Sequence, residues 1–404
     1  MAENGKGGIL NKIALNQLGL LRNFLFQQNI IKLRINQLPT PGIHTISYEL
    51  PTLDIHTSSR HDLIYWESYR SGPEGSVIGL QQVRDPRSQI GSFSSVHVFD
   101  FEYNITTTVS PNTPPPLINK LKVKSNLEGN MWVNDSSDML HHWKKPLLIV
   151  GKYPDKRNSV VKLAFLNCEG SDNEKVIEWV TASCLSCCSS NTYSGRFAVG
   201  GNGCFYLGVN YRLSSKYRLP DNVLALEFND DGNLLFVGSD ERGIEICDTR
   251  DVLRNCNSAV EKEPALRDSS LIVNKMKLLS DQVTLIATDI EGEMRMVDLR
   301  MRRPVLTYSG HVGFKYPRPL CLDESLDLLC AAGKDHNIRI WSLSSGHLFS
   351  ENRIYDQTLP SENSLETITH SCIITSTRRW FIAVIENQKV IPIVPAPGYL
   401  PKNN

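Results

Sequence analysis

LLFVGSDERGIEIC at residues 234–247, TLIATDIEGEMRMV at 284–297 and LLCAAGKDHNIRIW at 328–341 overlay without a gap. Each runs as an apolar strand, a pair of small residues, an acidic tight turn and an alternating strand. They close at Cys247, Val297 and Trp341, which lie 50 and 44 positions apart. Apolar runs with period-two alternation between turn residues read as strands. A repeat near ~45 residues with two strands and a turn in each unit is the pattern of stacked blades in a β-propeller. A unit this small cannot bury both faces of its own sheet, so its neighbours must cover it. An architecture of that kind moves the functional question from chemistry to binding.

Strand rhythm extends outward from this core. Leu224–Phe228 reads as an outer strand followed by an Asn229-Asp230-Asp231-Gly232 turn. Residues 197–209 read as a hairpin around Gly201-Asn202-Gly203, where an Asn-Gly step favours a tight turn. Shorter alternating runs appear at Ile43–Tyr48, Val77–Val83, Val96–Phe101, Leu147–Val150 and Val160–Phe165. Near the C-terminus, Ile373–Thr375, Trp380–Glu386 and Lys389–Val394 continue the series. Residues 110–116, SPNTPPP, must be a loop. The Asn- and Ser-rich stretch 124–138 also reads as a loop. The expected fold is all-β, a propeller of about seven blades over residues 41–398.

Residues 1–40 read as a separate arm. No acidic residue occurs between Asn4 and Tyr48, and Leu15, Leu18, Leu21 and Leu25 recur at helical steps. Pro39 and Pro41 end the segment. It fits a helix packed on its own domain, an amphipathic arm for a partner, or an Arg-bearing transit peptide.

Composition narrows the function classes. The chain has 404 residues, with 43 Lys plus Arg against 43 Asp plus Glu. That balance gives no global field for nucleic acid or a membrane surface. No secretory leader pattern is present, and no apolar run approaches the ~20 residues of a membrane helix. The ten cysteines include several inside strand-like runs, as buried thiols of a reducing compartment would be. The expected location is therefore intracellular, nuclear or cytoplasmic. The glycosylation-type patterns at Asn104 and Asn134 then carry no weight. Cys184, Cys187 and Cys188 supply one C-x-x-C pair, whereas zinc needs a second pair of ligands. His141-His142-Trp143 reads as a loop. No phosphate-binding Gly-rich loop or nucleophile elbow occurs. The expectation is no cofactor, no metal and no catalysis.

The residues around the strand ends are more telling. Gly310-His311 stands 30 residues before Trp341, and Asp335 sits in the intervening tight turn. This pattern resembles the WD repeat. The resemblance implies that His311, a hydroxyl residue, Asp335 and Trp341 form a hydrogen-bonded chain, but Ala331 stands where the hydroxyl belongs. Cys247-Asp248-Thr249-Arg250 and Val297-Asp298-Leu299-Arg300 each place Asp, then Arg, just past the strand. Residues 235–250 and 285–300 resemble the sixteen-residue box of WD-repeat substrate receptors of Cullin-4 RING ubiquitin ligases. Both copies lack the usual Trp of that box.

The stretch 284–350, with TYSGHV and IRIWSL, is similar to the corresponding blades of the fourth DDB–Cullin-associated factor group. The resemblance implies that Arg250 and Arg300 reach a damaged-DNA-binding adaptor and that Asp248 and Asp298 orient them. It further implies a Cullin-4 ligase beyond the adaptor and an unidentified protein substrate. The basic run Arg300–Arg303 would lie on the adaptor face. A general WD scaffold in another complex is the rival reading. An Asp-x-Arg pair can also be a local surface ion pair.

Overall fold

The computed structural model describes strands from Tyr48 to Ile393. It describes side chains for most of residues 177–351 and for short stretches between 135 and 163. The N-terminal arm expected over residues 1–40, the Pro-rich run 110–116 and His141–Trp143 lie outside the described residues. The chain divides into His44–Val394, which holds every described element, and a second unit of residues 1–43 and 395–404.

β1 (Tyr48–Glu49) precedes six complete sheets. β2 (Asp62–Ser71), β3 (Ser76–Arg84), β4 (Phe93–Tyr103) and β5 (Ile118–Glu128) form the first. β6 (Trp132–Asp138), β7 (Lys145–Lys152), β8 (Ser159–Leu166) and β9 (Val176–Thr181) form the second. β10 (Leu185–Ser190), β11 (Arg196–Gly201), β12 (Cys204–Val209) and β13 (Arg212–Arg218) form the third. β14 (Val223–Phe228), β15 (Leu234–Ser239), β16 (Ile244–Asp248) and β17 (Lys262–Leu266) form the fourth, with a short helix α1 (Thr249–Arg254) between β16 and β17. β18 (Val273–Leu278), β19 (Thr284–Asp289), β20 (Met294–Asp298) and β21 (Arg303–Tyr308) form the fifth. β22 (Cys321–Asp323), β23 (Leu328–Ala332), β24 (Asn337–Ser342) and β25 (Leu348–Arg353) form the sixth.

The seventh sheet has the order β1-β28-β27-β26, built from β26 (Thr369–Thr375), β27 (Trp380–Glu386), β28 (Lys389–Ile393) and the first described strand, β1. Tyr48 pairs with Val390 and Glu49 with Lys389. The chain thus closes a ring of antiparallel sheets by joining its two ends, the topology of a β-propeller.

The three repeats fall in identical register. Leu234 pairs with Asp248, Thr284 with Asp298 and Leu328 with Ser342. Each repeat forms the second and third strands of its sheet. Between consecutive sheets lies a layer of apolar side chains. One layer, between the second and third sheets, holds Leu148, Val161, Cys188 and Phe197. The next holds Cys187, Phe205, Leu226 and Cys247. A third holds Phe236, Met276, Leu285 and Val297. A fourth, between the fifth and sixth sheets, holds Ile286, Tyr308, Leu329 and Trp341. Cys247, Val297 and Trp341 are all fully buried. The repeat therefore preserves a core position while changing what fills it.

Two expectations are corrected. Val223–Phe228 is an innermost strand, not an outer one. The first strands of successive sheets approach one another, β6 with β10, β10 with β14 and β14 with β18. Its turn, read correctly, lies at the rim. Residues 124–128 and 132–138 are also not loop: the first complete β5 and the second form β6. The polar composition of β6 misled because an innermost strand presents side chains to the axis of the ring. There Asp135 accepts from the Cys188 amide at 2.8 Å and meets Lys275 Nζ of β18 at 3.3 Å. Ser137 and Ser190 hydroxyls bond at 2.8 Å between neighbouring inner strands. Among the described residues, no helix is long and apolar enough to cross a membrane.

Candidate functional site

One end of the ring carries the turns between first and second strands and the ends of the third strands. Asp248 ends β16, and its Oδ1 accepts the Arg250 backbone amide at 2.9 Å. An acidic side chain just before α1 caps the free amides of a helix start. Arg250 therefore sits in the first turn of α1 rather than on a strand extension. The carboxylate also holds the guanidinium in a fork, Nε to Oδ1 at 3.0 Å and Nη2 to Oδ2 at 2.5 Å.

Asp298 does the same one sheet later, without a helix. Its Oδ1 accepts the amides of Arg300 at 2.8 Å and Met301 at 3.2 Å. The Arg300 fork closes at 3.1 Å from Nε and 2.6 Å from Nη2. Two Asp-x-Arg endings in successive sheets thus adopt one geometry. Hydrogen bonds from each Arg are the leading cause that holds the Asp248 and Asp298 carboxyls below their usual range, against the cost of burial. The Arg side chains stay 54% and 45% exposed, so each guanidinium is aimed by its Asp yet open to solvent. A planar, permanently charged fork anchored on one edge can still bond a partner on the other.

The third ending departs from the pattern. Ser344 stands where Arg250 and Arg300 stand, and Asp327 takes it inward. The Asp327 carboxylate accepts from the Ser342 hydroxyl at 2.6 Å and the Ser344 amide at 2.7 Å. The arginine pair is confined to the fourth and fifth sheets among the described repeats. Just past it, Met301, Arg302, Arg303, Pro304 and Val305 are all exposed, the last three on the edge strand β21.

Hydrogen bonds weld this rim from sheet to sheet. Asn191 Nδ2 donates to the carbonyls of Asn229 at 2.7 Å and Asp230 at 2.9 Å. Arg196 Nη1 reaches the Gly232 carbonyl at 2.6 Å and Thr249 Oγ1 at 2.8 Å. The Asp230 amide donates to Gln282 Oε1 at 2.8 Å, and the Ser280 amide to Glu324 at 2.9 Å. These contacts join residues far apart in sequence, and no local pattern announces them.

The WD-type positions are brought together, but their bonding differs from the chain the resemblance implies. Trp341 is fully buried and its Nε1 donates to the Ser309 carbonyl at 3.1 Å. The His311 ring packs edge-on against it, with centroids 6.2 Å apart. Asp335 is held by the guanidinium of Arg339, which also bonds Glu351 at 2.6 Å. Arg339 stands opposite Ala331 in the ladder, so a buried arginine takes the carboxylate where the hydroxyl is missing. His311 Nδ1 and Arg339 Nε are left as buried polar atoms with no protein partner.

Burial pulls the His311 imidazole down to about 4, with the Arg339 charge adding to the effect and Asp335 opposing it. The unfolded chain then takes up a proton near pH 6.5 that the folded chain refuses until about 4. Stability is therefore expected to fall as pH drops through that window, by ~1–3 kcal/mol from this group. Urea denaturation at pH 7 and pH 5 checks this, with His311→Phe expected to lose less on acidification than the wild type. Equal losses in both proteins would remove His311 as the cause.

The cysteine run is separated by the strand itself. Cys187 packs in one inter-sheet layer and Cys188 in the opposite one. Burial pushes the Cys187 thiol well above its usual range. Cys184 lies outside β10 and is exposed. Among the described residues, no group of three or more His, Cys, Asp or Glu is placed to hold a metal.

Comparison with known proteins adds the following. The family model described as the DDB1- and CUL4-associated factor 4 beta-propeller domain matches residues 175–378. The chain is 29% identical to a human protein named DDB1- and CUL4-associated factor 4 over 172 residues, 40% of this chain and 32% of that protein. The Bos taurus protein of the same name is 27% identical over 172 residues, 40% of this chain and 33% of that protein. A human DDB1- and CUL4-associated factor 4-like protein 2 is 32% identical over 104 residues, 24% of this chain and 25% of that protein. The match thus spans a third or less of the length of these relatives.

Proposed function

The chain belongs to the DDB1- and CUL4-associated factor 4 β-propeller family, and from this we propose that it is a non-catalytic substrate receptor. In this reading it binds the damaged-DNA-binding adaptor DDB1 through the rim that carries Arg250 and Arg300, and the adaptor joins it to a Cullin-4 RING ligase. A target protein is held elsewhere on the propeller. Its lysines are then presented to a ubiquitin-loaded enzyme at high effective concentration, which replaces a bimolecular encounter by a local one. The carrying observation is the repeated fork: two guanidiniums aimed by Asp248 and Asp298 and left half exposed in successive sheets. The names of the relatives support the partner. Residues 41–398 are the propeller domain in this reading, and the basic run Arg300–Arg303 borders the contact.

A general scaffold role in another complex is favoured by one observation, that each arginine already has a carboxylate partner. The two readings part in a binding experiment with the purified chain and purified DDB1. A complex that co-elutes in gel filtration and recruits Cullin-4 is expected. No complex at ~10 μM of each protein would sink the receptor reading and leave the scaffold.

A further inference from the structure

We propose that Tyr193 is an aromatic anchor of the docking rim, seating in a pocket of the same adaptor that Arg250 and Arg300 contact. This deepens the proposed function and rests on it. Tyr193 lies in the turn between β10 and β11 and is 79% exposed, the most exposed large apolar side chain among the described residues. A single exposed apolar residue is ordinary on a protein surface. What sets Tyr193 apart is the way it is held. Asn191 Oδ1 accepts the backbone amides of Tyr193 at 3.1 Å and Ser194 at 2.7 Å, and the Ser194 hydroxyl at 2.8 Å. The Nδ2 of the same side chain is fixed to two carbonyls of the next sheet's turn. Asn191 is buried, so the tip that carries the ring is clamped at its base from two sides.

The tip is also continuous with the arginines. Arg196, three residues beyond Tyr193, bonds the Oγ1 of Thr249, the residue before Arg250. The Asn229–Asn233 turn then passes the connection to Gln282 in the sheet that bears Arg300. Beyond Arg300 stands Met301, 48% exposed. The rim therefore presents tyrosine, arginine, arginine and methionine in order across three sheets on one hydrogen-bonded frame. Those residue types are enriched at the centres of protein interfaces. A frame that is already ordered loses little conformational entropy on binding, which raises the return from each anchor.

The test is titration of purified DDB1 against the wild type, Tyr193→Ala, Tyr193→Phe and Val180→Ser. The last changes an exposed apolar residue on β9, away from the rim turns. Tyr193→Ala is expected to weaken binding at least ~30-fold with its unfolding temperature unchanged. Tyr193→Phe should keep most of the affinity, because the ring is the anchor, and Val180→Ser should match the wild type. If wild-type binding is seen and Tyr193→Ala binds equally well, the anchor is overturned while the receptor reading stands. Equal weakening by Val180→Ser would also overturn it, by showing that any exposed apolar loss suffices. If the wild type forms no complex, both the anchor and the receptor reading fall.

Discussion

The double variant Arg250→Ala/Arg300→Ala is expected to lose capture of DDB1 and Cullin-4 while remaining folded. Each arginine is aimed by its neighbouring aspartate, so a partner meets a fork that needs no ordering. Truncating one charged, hydrogen-bonded group at such a contact weakens binding ~30-fold or more, because the partner's own group is left buried and unpaired. Two truncations in adjacent sheets should take the complex beyond detection in a pull-down. Arg300→Ala alone should have the larger single effect, since Asp298 is the more buried of the two aspartates and holds its arginine more firmly. Stability should barely change, because exposed ion pairs contribute little. The readings are affinity by titration and unfolding temperature by calorimetry. Wild-type affinity in the folded double variant would show that these forks serve only their own strand ends.

Trp341→Ala is expected to be the most damaging single core change among the residues described. The indole is fully buried in the layer between the fifth and sixth sheets, against Ile286, Tyr308 and Leu329. Tyr308 meets it edge-on at 6.4 Å and donates its hydroxyl to the Leu343 carbonyl at 2.6 Å. Removing a buried aromatic of this size leaves a cavity that rigid strands cannot collapse, at a cost of ~3–5 kcal/mol. It would also orphan the Ser309 carbonyl. A drop of several degrees in unfolding temperature and a lower urea midpoint are the measurements. A change under ~1 kcal/mol would mean that the layer repacks without the indole.

Trp341 was legible as a core residue because its repeat aligns with two others, and a shared register forces a shared burial. The same alignment made Arg250 and Arg300 visible as a pair. The strand reading of Leu224–Phe228 put it on the outside, because apolar alternation reports a strand but not its distance from the axis. Residues 132–138 escaped for the opposite reason. An innermost strand with Asp135 and Ser137 facing polar neighbours has no apolar stripe to show. Arg339 was readable only in part: an arginine in an alternating strand suggests exposure, and its burial follows from Asp335 and Glu351, which fold geometry brings to it. Asn191 and Arg196 act on residues 36 to 53 positions away, and such partnerships leave no trace in local pattern. The helix α1 was hidden by reading Asp248-Thr249-Arg250 only as residues just past a strand, although an aspartate that accepts the amide two residues on is equally a helix start.

The seam of the ring sets a timetable for synthesis. Tyr48 and Glu49 leave the ribosome some 340 residues before their partners Val390 and Lys389, roughly 20–70 s at usual elongation rates of roughly 5–20 residues per second. Throughout that interval the nascent chain carries sheets stacked in an open arc, with one raw flank at each end of the stack. The last sheet cannot be finished until β26, β27 and β28 have emerged to meet β1. A premature stop before Lys389 would release an arc rather than a smaller ring, with apolar surface for chaperones and proteases to find. The pairing of Tyr48 with Val390 and of Glu49 with Lys389 is the step that completes the last sheet.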